Sequence, residues 1–282
     1  MTTVVRFLGF VLLAFAFNCH ASDLAKERRW AEQVVDSIMD GDAEMLKDGN
    51  NEFLSIYTEA AEDKGRAAIV MHGTGIHPDW QQVIQPLRVG LTEHNWHTLA
   101  IQMPILHNEA EYIDYAPLYD EVAPRIEAAI EFLKDNGAKN IVLVGHSQGA
   151  SMPAYSLSKN SHDVTGFVAI GMGGYAEDER MNSIKALEKI KIPVLDIYGS
   201  EDIEPVLSSI DDRSAAAKKA GNKNYTQVKI TGANHMFDGK GDALIEAIAG
   251  WLDKLTSEEY GACRIFRHSG RKTWSVPSRI QL

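Results

Sequence analysis

Ile141-Val142-Leu143-Val144-Gly145-His146-Ser147-Gln148-Gly149-Ala150 decides the architecture of this chain. A β-branched, apolar run ends in glycine, a serine sits between small residues, and a helix-like run follows. In that strand–turn–helix context, G-x-S-x-G marks a nucleophile elbow. The glycines supply space. A serine on so sharp a turn holds strained backbone angles, and side chains two positions either side would strike the neighbouring strand and helix. The turn lifts the Ser147 hydroxyl above the sheet edge and directs the Gln148 N–H to the same point. Without its flanks, G-x-S-x-G is a pattern that chance also produces.

Outward from the elbow, strands and helices alternate. Buried strands are expected at residues 67–71, 97–102, 140–144, 165–170, 193–198 and 225–230. Between them the periodicity marks helices. Val83, Ile84, Leu87 and Leu91 form one, with Asp79 as its expected N-cap. Ile126, Ala129, Ile130 and Leu133 form another, closing at Asn136-Gly137. Further helices are expected at 149–159, 183–190 and 208–220. Leu244, Ile248, Trp251 and Leu255 stripe the last one. Ahead of all this, Trp30, Val34 and Ile38 trace an amphipathic helix, and residues 44–58 read as a β-hairpin. Alternation of this kind predicts one α/β domain with a mostly parallel sheet and helices on both faces. The segment 172–182 is too short for a large lid. The longer loop 103–118 carries Tyr112 and Tyr115 and is expected to roof the site.

At the start, Arg6 precedes a nearly apolar run at 7–17, and Asn18-Cys19-His20-Ala21 leads to charged residues. This reads as an export signal at 1–21 cleaved after Ala21, which predicts a periplasmic or secreted protein. The run is short for a membrane span. Removing it leaves Cys263 as the sole cysteine, so no intramolecular disulfide and no thiolate zinc site are expected. The domain is expected over 22–258, with an irregular tail at 259–282. From residue 261 that tail has five Lys or Arg and no Asp or Glu. A net charge of −11 argues against nucleic acid or an anionic membrane surface as main partner.

A serine needs a base to attack at neutral pH, and the base needs an orienting carboxylate. Gly199-Ser200-Glu201-Asp202 follows one strand and Thr231-Gly232-Ala233-Asn234-His235 follows the last, so both emerge on the face of Ser147. Asp202 is the expected acid, with Glu201 and Glu204 as competitors and Asp196 inside the strand. His235 is the expected base. His146 packs beside the elbow, while His94, His97, His107 and His162 read as surface or loop residues. His72 and His77 lack the further ligands a metal site requires. Two amides must face a developing oxyanion. Gln148 supplies one, and Thr74, between Gly73 and Gly75, is the natural second.

Together these motifs resemble the α/β-hydrolase superfamily over residues 67–255. His72-Gly73-Thr74-Gly75 with His77-Pro78-Asp79-Trp80, plus the N-terminal helix and hairpin, narrows the likeness. They resemble an exported, largely uncharacterised α/β-hydrolase-like family of Gram-negative bacteria. The resemblance implies the fold and a trio at Ser147, Asp202 and His235, and it implies no substrate. His77 and Trp80 match that family's pattern, either as structural residues or as lining of an acyl pocket. Tyr112, Tyr115, Met172, Met236 and Phe237 are expected by loop position to shape the pocket. The expected activity is cleavage of an ester or related acyl bond on a small molecule, with no cofactor and no metal. The alternatives are a non-catalytic binding protein of the cell envelope and an acyltransferase.

Overall fold

The chain enters as α1 (Leu24–Val35), whose N-cap Asp23 accepts a hydrogen bond from Lys26 N. Strands β1 (Asp42–Lys47) and β2 (Glu52–Thr58) then form the expected antiparallel hairpin. These coordinates are a computed structural model that describes residues 22–49 and 51–257. The expected signal at 1–21 and tail at 259–282 lie outside the described residues.

Beyond the hairpin come β3 (Arg66–Met71), α2 (Ile84–Glu93) and β4 (His97–Ile101). A 3-10 helix at Tyr112–Glu121 runs into α3 (Val122–Asp135), followed by β5 (Asn140–His146) and α4 (Gln148–Lys159). Next are β6 (Gly166–Ile170), α5 (Ser183–Leu187) and β7 (Val194–Glu201). The chain closes with α6 (Glu204–Leu207), α7 (Ile210–Lys219), β8 (Tyr225–Asn234) and α8 (Gly241–Thr256). The single eight-stranded sheet has the order β1-β2-β4-β3-β5-β6-β7-β8. Pairings from β4 through β8 are parallel, and those of β2 are antiparallel.

Successive strand residues point to opposite faces, so one strand feeds two cores. In β3, Ala67, Ile69 and Met71 join a core with α3, α4 and α5, while Ala68 and Val70 join one with α2 and α8. Both faces are covered, which is why the parallel strands are nearly continuous apolar runs. This is the α/β-hydrolase fold, without a large lid among the described residues. Its parallel strands all end at one edge, and the loops there carry the candidate site.

One expected local feature differs. Asp79 does not cap α2, which starts at Ile84 after Val83 at φ 62°. Its carboxylate instead accepts from the buried Arg88 guanidinium at 2.5 and 2.9 Å. The expected helix at 208–220 is α7, and the short α6 lies ahead of it. Ser209 between them donates back to Pro205 O at 2.7 Å, and the Arg213 guanidinium donates to Val206 O at 2.9 Å.

Candidate active site

Ser147 joins β5 to α4 at φ 57° and ψ −122°, a positive φ that costs a non-glycine residue on the order of 1–3 kcal/mol. Its N–H donates to Ile170 O at 2.8 Å, tying the turn to the end of β6. The flanking glycines are steric necessities. A Cβ on Gly145 would sit 1.9 Å from Gly149 O, and one on Gly149 would sit 2.3 Å from His72 O. Strand, helix and the loop after β3 can meet here only through bare backbone.

Asp202 follows β7, and a register shift between Gly199 and Glu201 marks the end of the β7–β8 ladder. The carboxylate is buried. It accepts from Gly199 N at 3.2 Å, from Ile203 N at 2.8 Å and from His235 Nδ1 at 2.6 Å. Burial pushes its pKa up, but the His235 hydrogen bond and charge and the two backbone donors together hold it below the ordinary carboxylate value. An ionised acceptor fixes the His235 proton on Nδ1 and leaves Nε2 as a lone pair. That nitrogen lies 3.0 Å from Ser147 Oγ. The His235 carbonyl accepts from His146 Nε2 at 2.9 Å, which anchors the loop after β8 to the elbow. Gly171 lets the trio close up: a Cβ there would sit 3.1 Å from the His235 ring. The rivals Glu201 and Glu204 are exposed to solvent.

The loop after β3 lies against the serine, because a Cβ on Gly73 would sit 3.2 Å from Ser147 Cβ. Thr74 follows it and lines the cavity that Ser147 opens into. Gln148 is the first residue of α4, so its N–H has no partner within the helix. The support for this loop is His72, a role its sequence position does not announce. Its Nδ1 donates to Gly73 O at 2.9 Å, and Nε2 accepts from Met103 N and the Gln102 amide, both at 2.9 Å. Full burial pushes its pKa down to about 3, so it stays neutral. Arg125 extends the brace, donating to Gln102 O at 2.8 Å and to Glu27 of α1 at 3.2 Å.

The cavity at Ser147 has a volume of ≈ 320 Å³. Of the residues expected to shape it, Tyr112 lines it, as does Thr74, the expected oxyanion donor. The others are corrected. Tyr115 is buried with its hydroxyl accepting from Leu106 N at 3.2 Å, and Met172 is fully buried in the core beneath the site. Met236 and Phe237 turn away into a separate cavity of ≈ 170 Å³ beside α2 and α8, with Phe237 at φ 52°. His77 and Trp80 line a third cavity of ≈ 690 Å³, together with Met39 and Arg88. The reason is the path of the loop: after Thr74 it runs away from the elbow to meet α1, where His77 packs edge-on between Trp30 and Trp80. Sequence reading missed Ser151, Tyr175, Met181 and Ile203, which do line the Ser147 cavity. Ser151 was within reach, lying in the first turn of the helix that follows Ser147.

Other polar expectations also change. His97 is buried at the start of β4, where its Nδ1 accepts from Ala60 N at 3.2 Å, and His162, in a loop as expected, is buried too, its Nε2 2.7 Å from Ser156 Oγ. His146 packs beside the elbow as expected, and burial pushes its pKa down to about 4. Asp196 lies in its strand but is fully buried and ion-paired with Arg213 at 2.8 Å. Among the described residues no three His, Cys, Asp or Glu side chains gather as a metal site. No helix among them is long and apolar enough to cross a membrane.

Known structures share this fold at low identity. The esterase Pf2001 of Pyrococcus furiosus superposes with a TM-score of 0.63 at 16% identity, over 76% of this chain and 91% of that one. Est1E from Butyrivibrio proteoclasticus gives 0.60 at 17% identity, over 76% of this chain and 98% of its own. An alpha-beta serine hydrolase homologue from Coxiella burnetii gives 0.58 at 17% identity, over 75% and 97%. In sequence, the Mus musculus protein ABHD14A is 26% identical over 192 residues, 67% of this chain and 72% of that protein. One family model, described as "Protein of unknown function (DUF3530)", matches residues 22–119 and 116–254. The chain belongs to that family, and the family's fold in this member is that of the α/β-hydrolases.

Proposed function

We propose that this protein is a serine hydrolase that cleaves a carboxylic ester, or a related acyl bond, through an acyl-enzyme. The observation that carries the reading is the unbroken hydrogen-bonded line from Asp202 through His235 to Ser147 Oγ at the mouth of a cavity. Ser147 Oγ attacks the carbonyl carbon while its proton passes to His235 Nε2. Asp202 holds the ring in the required tautomer and stabilises the imidazolium. The carbonyl oxygen becomes an oxyanion, which the N–H groups of Gln148 and Thr74 receive. Collapse breaks the bond to the leaving oxygen, which takes the proton from His235 and departs as an alcohol. Water repeats the sequence on the acyl-enzyme, releasing the acid and restoring the serine.

Support comes also from fold neighbours whose names describe esterases and a serine hydrolase homologue. The substrate is a small molecule, and no step needs a cofactor. The apolar run at 7–17 and the small residue Ala21 support placing the mature chain in the periplasm or outside the cell. The test is steady-state hydrolysis of p-nitrophenyl esters of graded chain length by the purified mature protein. Turnover that vanishes in Ser147→Ala is the expected result. Absence of turnover with every chain length, or turnover indifferent to that substitution, rejects the proposal.

A further inference from the structure

The wall of the Ser147 cavity is not uniformly apolar. Met181, Ile203 and Val206 form one side, but Ser151 contributes a hydroxyl from α4. Ser151 stands four residues beyond Ser147, the N-cap of α4, and its N–H closes the first turn by donating to Ser147 O at 3.2 Å. Its Oγ is 2.7 Å from the buried Tyr119 hydroxyl and 3.2 Å from Gln148 O, to which it donates. With Ser151 donating to that carbonyl, Tyr119 donates to Ser151, and one acceptor site on the serine oxygen is left over. Behind it, the buried Gln148 side chain is directed at the Tyr119 hydroxyl. Tyr112 adds a phenol to the same cavity wall. Leaving a buried polar group unpaired costs on the order of 1–3 kcal/mol, so a purely hydrocarbon ligand would leave the Ser151 acceptor site unsatisfied.

We infer that the pocket selects an acyl group bearing a hydroxyl a few carbons from the scissile carbonyl, read by Ser151 with Tyr119 and Gln148 behind it. The inference rests on the hydrolase reading above and specifies its substrate class. Position along the chain follows from the helix. Side chains one turn apart are separated by about 5–6 Å, and a hydroxyl hydrogen bond spans about 2.8 Å. The difference leaves about two to three carbon–carbon steps, which places the hydroxyl on the third or fourth carbon of the acyl chain. A hydroxyl suits the corner better than a ketone, because only a hydroxyl can donate to the acceptor site left on Ser151. The ≈ 320 Å³ volume lies at the low end for ligand pockets and favours a short acyl chain.

The experiment compares p-nitrophenyl butanoate with p-nitrophenyl 3-hydroxybutanoate and p-nitrophenyl 4-hydroxybutanoate, corrected for spontaneous release without enzyme. The expected result is a kcat/KM at least about tenfold higher for one hydroxylated ester than for butanoate. In Ser151→Ala and in Tyr119→Phe that ratio falls towards one. Because the ratio and not the rate is read, general damage from either substitution does not mimic the effect. A ratio near one in the unaltered enzyme, with Ser147-dependent turnover of all three esters, overturns this inference and leaves the hydrolase reading intact. A high ratio that neither substitution changes also overturns it. Failure to turn over any ester overturns both.

Discussion

Asp196 and Asp202 lie six positions apart on one stretch of chain and live in opposite circumstances. Asp196 is in the middle of β7, fully buried, and accepts from Arg213 at 2.8 Å, Tyr225 at 2.6 Å and Gln227 at 3.1 Å. Asp202 stands just past the strand end, where it accepts two backbone donors and the His235 ring. The first carboxylate is enclosed by three side-chain donors. The second is satisfied by backbone on one side and aims its remaining capacity at a histidine that faces a cavity. What separates a structural aspartate from the proposed catalytic one here is its position relative to the carboxyl edge of the sheet. Charge and burial are similar for both.

That contrast is broken most severely by exchanging the two effects. Asp202→Asn is expected to lower kcat about 10⁴-fold, since an amide no longer selects the tautomer with its lone pair on Nε2. Its thermal midpoint should move only a few degrees. Normal turnover in this variant would transfer the orienting role to another group. Asp196→Ala is expected to do the reverse. Stranding the buried Arg213 charge costs about 3–5 kcal/mol of stability, while activity per folded molecule at low temperature stays close to normal. Denaturant titration alongside an active-site count measures both. A stable Asp196→Ala protein would mean that Arg213 finds another partner or solvent.

A smaller effect sharpens the comparison for histidines. His72 and His146 are held neutral by burial, with pKa values pushed down to about 3 and about 4 from an ordinary 6.5. The unfolded chain binds their protons first. Stability is therefore fully present above about pH 6.5 and is lost as pH falls from there towards 4, by about 1.4 kcal/mol per pH unit for each histidine. Urea unfolding between pH 7 and 4.5 should show this slope, and His72→Gln should reduce it by one proton's worth. An unchanged slope in that variant would contradict the buried neutral state. Smallest of all, Glu201→Gln and Glu204→Gln should leave kcat within about twofold, because exposed carboxylates interact weakly through solvent.

The parts legible in the sequence were those where periodicity or spacing encodes position. Alternating strands and helices gave the sheet, and Gly145, Ser147 and Gly149 located the turn. The parallel strands then required residues after β7 and β8 to meet Ser147, which singled out Asp202 and His235. Side chains on the irregular loops had no such rule. Loop position alone put Met172, Met236, Phe237, His77 and Trp80 at the pocket, but direction in a loop depends on tertiary contacts. Trp30 of α1 draws His77 and Trp80 aside, and the tight turn at Phe237 carries Met236 with it to α2 and α8. Conversely, Ser151 falls in the first turn of the helix expected right after Ser147 and was within reach of the sequence. Asp79 misled because a helix-capping residue type served to neutralise Arg88, nine positions later.

The central claim is that the Ser147 hydroxyl is a nucleophile activated by His235. A fluorophosphonate probe, followed by peptide mass spectrometry, tests it without knowledge of the substrate. The account predicts a single adduct on Ser147, absent in Ser147→Ala and formed orders of magnitude more slowly in His235→Ala. Labelling that persists in Ser147→Ala, or a folded protein that takes up no probe at all, would contradict it.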